Sequence, residues 1–235
     1  MKQFFRFPHT PHLAWLGTES PRDDKLLSPA EATEFLKGNV VVEEKLDGAN
    51  LGISVDLTGR LQAQNRGQFL DAPYSGQFAR LPSWLASHET ILARTLNDHL
   101  ILFGEWCTAR HSLDYFDLPD WFLAFDIYDR REGKFWNTIR RNALVQQLAL
   151  SPVPTVFTGQ TDLKRLKDLV IHGRSRFRTG PMEGIVVRRE GALWLDSRAK
   201  LVHPTFAQAI ADHWSGRNIE WNRLVMRSQN SPNRH

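Results

Sequence analysis

Short apolar runs, each ended by polar or charged residues, recur along the chain and restrict its fold more than any other feature. They lie at residues 39–46, 51–55, 100–103, 121–128, 184–188 and 193–195. Runs of this length, bounded by turn residues, predict strands. Tight turns between them and scattered helical patterns favour antiparallel pairing over a repeating strand–helix–strand unit. The sequence therefore predicts an α+β fold with largely antiparallel sheets flanked by helices.

Helical signals are fewer but clear. Ser28–Glu31 combines an N-cap serine, a proline at the first helical position and a capping-box glutamate, and Gly38 ends the segment. Apolar spacing predicts four more helices: over 83–97, over 138–149, between a Thr161 cap and Gly173, and over 205–215.

Composition excludes several classes of protein. Hydrophobic residues make up 41% of the 235 residues, which is too many for a chain that is disordered throughout. No apolar run approaches the ~20 residues of a membrane span, and no secretory signal is visible, so we expect no membrane association. The single cysteine, Cys107, excludes an internal disulfide and is typical of the reducing cytoplasm, where we expect the protein to be located.

Charge is distributed unevenly along the chain. Residues 1–163 contain 16 Lys/Arg and 20 Asp/Glu, whereas residues 164–235 contain 14 and 6. A basic end indicates a polyanionic partner such as a nucleic acid. The alternative is a solvated basic surface that contributes only solubility.

A lysine at a strand end is the first candidate for chemistry. Lys45 ends the apolar strand that contains Val40–Val42, Asp47 follows two residues later, and Gly48 predicts a turn. Strand parity would place the side chains of Lys45 and Asp47 on the same side. A lysine there can lose its proton through burial or cationic neighbours and become a nucleophile. A surface hairpin is the alternative for this short motif taken alone.

Further polar clusters follow in a fixed order, each at a predicted strand end: Asn65-Arg66-Gly67, Phe103-Gly104-Glu105, Phe125-Asp126, Glu183-Gly184-Ile185-Val186 and Arg198-Ala199-Lys200. With Lys45–Gly48 in front, this series resembles the motifs of the covalent nucleotidyltransferases, which include ATP-dependent RNA and DNA ligases and messenger-RNA capping enzymes. Phe125–Asp129 and Glu183–Arg188 resemble the RNA ligase 2-like branch most. The resemblance covers residues 40 to 202 approximately.

The resemblance implies an organisation as well as a fold. Residues 1–202 would form the nucleotidyltransferase (adenylation) domain, and residues 203–235 a short, basic, helical C-terminal extension. DNA ligases and capping enzymes normally continue into an OB-fold domain, and the 35 residues after Lys200 are too few for one. We therefore expect no OB-fold domain.

The activity implied is that of an ATP-dependent RNA ligase, which joins 5′-phosphate and 3′-hydroxyl ends of RNA through a lysyl-AMP intermediate on Lys45. Its cofactors would be ATP and Mg²⁺ or Mn²⁺. Lys200 would contact the α-phosphate with Arg198 beside it, where many relatives have lysine. Glu183 would bind the metal ion, because Mg²⁺ prefers oxygen ligands.

The resemblance also implies nucleotide contacts by Glu105 and Arg66 with ribose and phosphate, by Phe125 with the adenine face, and by Glu44 through its main chain. Asn50 is a further binding candidate and Asp126 a second metal candidate. Simpler structural roles stay open. Phe125 could be core, Glu105 and Asp126 could be ion-pair partners, and Arg198 and Lys200 could be a solvated edge.

Other functions of the same motifs also stay open. A minimal DNA ligase or a guanylyltransferase is disfavoured by the expected lack of an OB-fold, and an inactive nucleotide- or RNA-binding protein by the retained Lys45, Glu183 and Lys200. Residues 164–178 and the basic extension, with Trp214 and Trp221, could bind RNA, or the two tryptophans could pack on the core. A partner repair protein is conceivable, and the oligomeric state is not predicted.

Overall fold

Two mainly antiparallel sheets form the protein in a computed structural model, which describes residues 4–18, 26–207 and 219–225. The strands are β1 (Asn39–Lys45), β2 (Ala49–Val55), β3 (Leu61–Gln64), β4 (Leu100–Trp106), β5 (Phe122–Asp129), β6 (Lys134–Phe135), β7 (Ser151–Pro152), β8 (Thr155–Gln160), β9 (Gly184–Glu190) and β10 (Leu195–Val202). The helices are α1 (Pro29–Phe35), α2 (Leu81–Leu96), α3 (Thr138–Gln147), α4 (Leu163–His172) and α5 (Pro204–Ala207).

The larger sheet has the strand order β3-β2-β4-β5-β6, and β7 pairs in parallel with β5. Helices α2 and α3 contribute Trp84, Leu92 and Val145 to the core on this sheet. The smaller sheet has the order β10-β9-β1-β8, with every pair antiparallel. Helices α1 and α4 pack on it through residues such as Phe35 and Leu166. The predicted α+β fold with antiparallel sheets and flanking helices is therefore confirmed.

Strands β1 and β2 are neighbours in sequence but belong to different sheets. Strand β1 lies between β8 and β9, and β2 lies between β3 and β4. The alternative interpretation of Lys45–Gly48 as a surface hairpin is therefore wrong. The chain crosses from one sheet to the other at this point, so the motif lies between the two layers.

Hydrogen bonds confirm the predicted start of α1 and correct the predicted start of α4. The Ser28 main-chain N–H donates to Glu31 Oε2 at 2.8 Å, and the Glu31 N–H donates to Ser28 Oγ at 3.3 Å, which completes the capping box of α1. The cap of α4 is Asp162, whose Oδ1 accepts from the Arg165 N–H at 2.8 Å, so the prediction of Thr161 was wrong by one residue.

Some elements differ from the sequence-based expectation or fall outside the described chain. Strand β8 has mostly exposed residues and no apolar run, so its sequence gives no strand signal. The last predicted helix, over 205–215, is described only at α5, and the rest lies outside the described residues. Within the described part of the chain, no helix has the length and apolar character needed to cross a bilayer.

Two motif glycines are required by close packing. A Cβ on Gly48 would lie 2.6 Å from the Trp106 carbonyl oxygen, and a Cβ on Gly184 would lie 2.1 Å from the Leu201 carbonyl oxygen. Gly48 does not have positive φ. A side chain at either position would push the neighbouring backbone away. Glycine at both positions therefore allows the strands around Lys45 to pack closely.

The substitution Gly184→Ala should destabilise the fold, because the new methyl group has no space between β9 and β10. Overpacking of this kind costs roughly 1–3 kcal/mol. We expect a loss of that size in the urea-derived free energy of unfolding. Gly191→Ala, in the connection between the same strands, is the control, because the nearest atom to its Cβ would be Asp196 Oδ1, at 3.4 Å, which is an ordinary contact. Equal stability of the two variants would contradict this explanation.

Candidate active site

A cavity of about 440 Å³ lies between the two sheets. One wall comes from β1, β9 and β10, and the other from β2, β4 and β5. The site residues predicted from the sequence line it, with the exception of Glu183: Glu44, Lys45, Asn50, Arg66, Glu105, Phe125, Asp126, Arg198 and Lys200. Segments that are far apart in the sequence thus meet in one concave site.

Lys45 and Glu183 form an ion pair at the wall of this cavity. Lys45 Nζ donates to Glu183 Oε1 at 2.6 Å and to Oε2 at 2.7 Å. The pairing of Lys45 with Gly184 brings Glu183, which directly precedes β9, beside the lysine. Glu183 therefore belongs to the site through Lys45, although it does not line the cavity.

The charges around Lys45 oppose the expected loss of its proton. Burial lowers the pKa of the Lys45 ammonium, but the negative charges of Glu183 and Glu105 outweigh burial and raise this pKa above its usual value. Burial also raises the pKa of Glu183 to about 8, while the charge of Lys45 opposes that rise. The expected loss of the Lys45 proton through burial or cationic neighbours is therefore not favoured by this arrangement of charges.

Asp47 has a different environment from Lys45, because it lies in the connection between β1 and β2 and not on a strand. Its Oδ2 accepts from the main-chain N–H groups of Ser112 at 2.6 Å and Leu113 at 2.9 Å. The Asp47 N–H in turn donates to Tyr115 Oη at 2.8 Å. The parity argument that placed Lys45 and Asp47 on one side therefore does not hold.

Glu105 and Asn50 face each other across β2 and β4, where they are paired in register. Glu105 Oε1 accepts from the Gly48 N–H at 3.1 Å, and burial raises the pKa of this carboxyl to about 7. Among the described residues nothing donates to Asn50 Oδ1, which is buried in the cavity wall. An unsatisfied buried acceptor is costly, so this atom is suited to a donor on a ligand.

Phe125 is half-buried at the cavity and packs edge-on against Phe7, with ring centroids 5.3 Å apart. The next residue, Asp126, is buried and paired with two arginines. Its Oδ1 accepts from Arg188 at 2.8 Å, and its Oδ2 accepts from Arg198. This is the ion-pair role that the sequence left open for Asp126, and it makes Asp126 a poor ligand for a metal ion.

Arg198 is held by aromatic rings as well as by charge. Its guanidinium carbon lies 4.4 Å from the ring centroids of both Phe7 and Phe135. A planar guanidinium can stack on aromatic rings and at the same time donate to the Asp126 carboxylate. The ammonium group of a lysine cannot do both. This geometry gives a physical reason for arginine rather than lysine at this position.

The arginine pairs extend into a buried ionic network between the sheets. Arg141 of α3 donates to Glu43 Oε1 at 2.5 Å, and Arg188 donates to Glu190 Oε1 at 2.6 Å. Arg188 also lies 3.7 Å from Glu43 Oε2. The network contains three arginines and three carboxylates, Glu43, Asp126 and Glu190, so its formal charges balance.

The N-terminal segment contributes cavity residues that the sequence did not assign. Phe7, His9 and Thr10 line the cavity, and Gln77 lines it from the loop before α2. The segment runs beside β10: the Lys200 N–H donates to the Pro11 carbonyl, and the Leu13 N–H donates to the Lys200 carbonyl, both at 2.8 Å. The phenylalanine-rich start of the chain was the available signal.

A protein-built metal centre is not found in the described part of the chain, where no three His, Cys, Asp or Glu side chains cluster suitably. The carboxylates next to Lys45, above all Glu183, have the right chemistry for Mg²⁺, which is typically bound by one or two carboxylates with water and phosphate. A nucleotide would therefore have to supply further ligands.

The fold is similar to solved structures of an RNA ligase of Naegleria gruberi. A structure of that ligase with PPi aligns with a TM-score of 0.60 at 19% identity, over 88% of this chain and 64% of that chain. A lysine-to-alanine mutant with ATP and Mn gives 0.62 at 20%, over 86% and 63%. A lysine-to-methionine mutant with AMP and Mn gives 0.58 at 19%, over 88% and 64%. This chain thus spans less than two thirds of those ligase chains.

The fold with a strand-end lysine between two sheets is that of the covalent nucleotidyltransferase superfamily. A family model described as RNA ligase matches residues 38–202, from the end of the α1 segment to the end of β10. The match covers well over half of the chain, and the protein belongs to the RNA ligase family. A comparison with curated protein sequences gives no match.

The raised pKa of Glu105 should make the stability of the protein depend on pH. The folded protein keeps the Glu105 proton up to pH about 7, whereas the unfolded chain releases it near the usual 4.5. The free energy of unfolding should therefore fall as pH rises from about 4.5 to about 7. Glu105→Gln should remove this part of the fall in urea unfolding curves.

Glu89→Gln on the exposed side of α2 is the matched control, and this variant should retain the fall that is attributed to Glu105. Parallel curves for wild type and Glu105→Gln between pH 4.5 and pH 7 would contradict the assignment.

Proposed function

We propose that the protein is an ATP-dependent RNA ligase that joins 5′-phosphate and 3′-hydroxyl ends through AMP bound covalently to Lys45. The observation that carries the proposal is the position of Lys45 Nζ, in a cavity between two sheets and 2.6 Å from Glu183. The similar ligase structures with ATP, AMP, PPi and Mn support the nucleotide and the divalent cation. We further propose that residues 1–202 form the adenylation domain.

Lys45 acts first in this proposal. Its neutral Nζ attacks the α-phosphorus of ATP, a P–N bond forms, and the bond from the α-phosphorus to the bridging oxygen breaks with release of pyrophosphate. Before the attack Lys45 must give up both its contact with Glu183 and a proton, because the free protein holds it as the ammonium. Arg66, Arg198 and Lys200 line the same cavity and would neutralise the phosphate charge that develops in this step.

The adenosine would bind on the side of the cavity formed by β2, β4 and β5. Phe125 offers an aromatic surface for a flat base. The buried Asn50 Oδ1 needs a donor, and a ribose hydroxyl or the adenine amino group can supply one. Glu105 lies opposite Asn50 and is suited to a ribose hydroxyl. Glu44 is less available through its main chain, because its N–H donates to the Pro154 carbonyl at 2.9 Å.

A divalent cation, Mg²⁺ or Mn²⁺, fits this site beside Glu183. Such an ion would supply neutralisation of phosphate charge, and its other ligands would come from water and the nucleotide. Asp126 does not fit the same role, since both of its oxygens pair with Arg188 and Arg198. Glu183 is the metal-binding carboxylate that we propose.

The two later steps transfer AMP to RNA. An oxygen of the RNA 5′-phosphate attacks the phosphorus of AMP, and the P–N bond breaks, which returns Lys45. A 3′-hydroxyl then attacks the activated 5′-phosphorus, a phosphodiester forms, and AMP leaves with the electron pair of the broken bond. A DNA ligase or a guanylyltransferase would use the same lysine with a different polynucleotide or nucleotide. An inactive nucleotide- or RNA-binding protein would catalyse none of these steps.

Incubation with ATP labelled in the α-phosphate and Mg²⁺, followed by a denaturing gel, tests the first step. Wild type should retain label, and Lys45→Ala should retain none, because the proposal assigns the P–N bond to Lys45 Nζ. Lys37→Ala should label like wild type, because Lys37 is exposed and pairs only with Glu34 of α1 among the described residues.

Protein that carries AMP from purification would first be discharged with pyrophosphate. Absence of label in discharged wild type would defeat the proposal, and label from GTP instead of ATP would favour a guanylyltransferase. A panel of nicked RNA and DNA duplexes would then separate RNA from DNA ligation.

Exposed cations on and after α4 form a candidate surface for the RNA backbone. Lys164, Arg165, Arg174 and Arg176 are exposed, and the Arg176 N–H donates to Glu44 Oε2 at 2.9 Å, which places this basic segment at the cavity wall. In the extension, Trp221 is part-exposed and stacks on Arg80 at 4.5 Å. Trp214, Arg217 and Arg227 lie outside the described residues.

Removal of charge at Arg174 and Arg176 should weaken RNA binding at low salt. Each phosphate contact contributes about 0.7–0.9 to the slope of log affinity against log salt, so the double alanine variant should lower the slope by about 1.5. Fluorescence anisotropy with a labelled RNA at several salt concentrations measures this slope.

The double variant Arg131→Ala/Arg94→Ala is the control, because it removes two cations elsewhere, and it should leave the slope unchanged. An unchanged slope in the Arg174/Arg176 variant would exclude this surface.

A further inference from the structure

The segment 219–225, here called the C-terminal strap, is built into the wall of the domain. It lies along residues 107–118, here called the wall loop. Five main-chain hydrogen bonds of 2.8–3.2 Å join the two segments: Arg110 N to Glu220 O, Asn222 N to Thr108 O, Arg223 N to Tyr115 O, Leu118 N to Arg223 O and Val225 N to Leu118 O. The strap therefore packs against residues of the proposed adenylation domain.

Asn222 holds the wall loop together from inside. Its side chain is buried, and its Oδ1 accepts from the Tyr115 N–H at 2.8 Å. Its Nδ2 donates to the carbonyl oxygens of Cys107 at 2.9 Å and Ala109 at 3.1 Å. One buried amide thus links the beginning of the wall loop to Tyr115 near its end, and no apolar side chain could replace these bonds.

The wall loop in turn holds the residues that follow Lys45. Tyr115 Oη accepts from the Asp47 N–H, and the loop amides of Ser112 and Leu113 donate to the Asp47 carboxylate. Leu46 is buried in a cluster with Leu113 and Tyr115. Residues 46–48 lie between two sheets, so the wall loop provides the contacts that a strand neighbour would otherwise provide.

We propose that Asn222 and Tyr115 are positioning residues for the nucleophile: the strap fixes the wall loop, and the wall loop fixes Asp47 and thereby the orientation of Lys45 in the cavity. This inference rests on the proposed function, because it assigns the strap to the lysine adenylylation step. Small displacements of a reacting group are costly in such a step, and about 1 Å can reduce a rate by about 100-fold.

The substitution Tyr115→Phe tests the link with the least disturbance, because it removes the hydroxyl that bonds Asp47 and keeps the buried ring. With saturating ATP, the single-turnover rate of Lys45 labelling should fall about 10- to 100-fold, with little change in the ATP concentration for half-maximal rate. Asn222→Ala should show the same effect or a larger one. Arg223→Ala is the matched control on the strap, since its side chain is exposed and its main-chain bonds remain.

A second reaction separates positioning from general damage. Joining of RNA that already carries a 5′-adenylate does not use Lys45 as a nucleophile, so the variants should seal it at a rate within a few-fold of wild type. Thermal melting of each variant provides a check on folding.

Labelling at the wild-type rate in both variants would overturn the inference and leave the proposed function intact. Equal losses in labelling and in sealing of adenylated RNA would also overturn it, because they would indicate a structural role alone. Absence of labelling in wild type would instead defeat the proposed function, and this inference with it.

Discussion

A buried, charge-balanced ionic network joins the two sheets, and the cavity depends on it. Arg188 of the smaller sheet bonds Asp126 of the larger one, and Arg141 of α3 bonds Glu43 of β1. Loss of one partner from a buried pair costs about 3–5 kcal/mol, so every member constrains the others. Four members of the network line the cavity, so the network forms part of its wall: Glu43, Asp126, Arg188 and Arg198.

The carboxylates of the site fall into two groups with different chemistry. Asp126 pairs with two guanidinium groups and therefore has a structural role. Glu105 is half-buried and Glu183 buried beside Lys45, and desolvation raises their pKa values to about 7 and about 8. Glu183 contacts Lys45 Nζ through both carboxylate oxygens, so this contact must break before Lys45 can attack a nucleotide in the proposed reaction. The sequence motifs did not show which carboxylates have a structural role and which lie beside Lys45. That difference depends on partner residues from other strands.

Sequence reasoning succeeded where the determinant is local. The capping box of α1 and the alternation of Arg198 and Lys200 on β10 depend on neighbours within a few residues, and both are present. It failed where the determinant is distant. Strand β8 exists because it pairs with β1, the separation of β1 from β2 depends on the partners of each, and the bond from Tyr115 to Asp47 joins a loop to a motif. Gly48 was predicted for a turn, but it is required by the nearby Trp106 carbonyl.

The order of strands in the smaller sheet has a consequence for synthesis of the chain on the ribosome. Strand β1 is made early, but both of its partners, β8 and β9, are encoded after every strand of the larger sheet. The apolar residues Val40 and Val42 of β1 therefore lack their native strand partners during the time in which β2 to β6 can already pair. Unpaired apolar strands are aggregation-prone, and non-local pairing is slow, so the nascent chain is most vulnerable in this interval. The strand that carries the nucleophile is thus among the last parts of the domain to become stable.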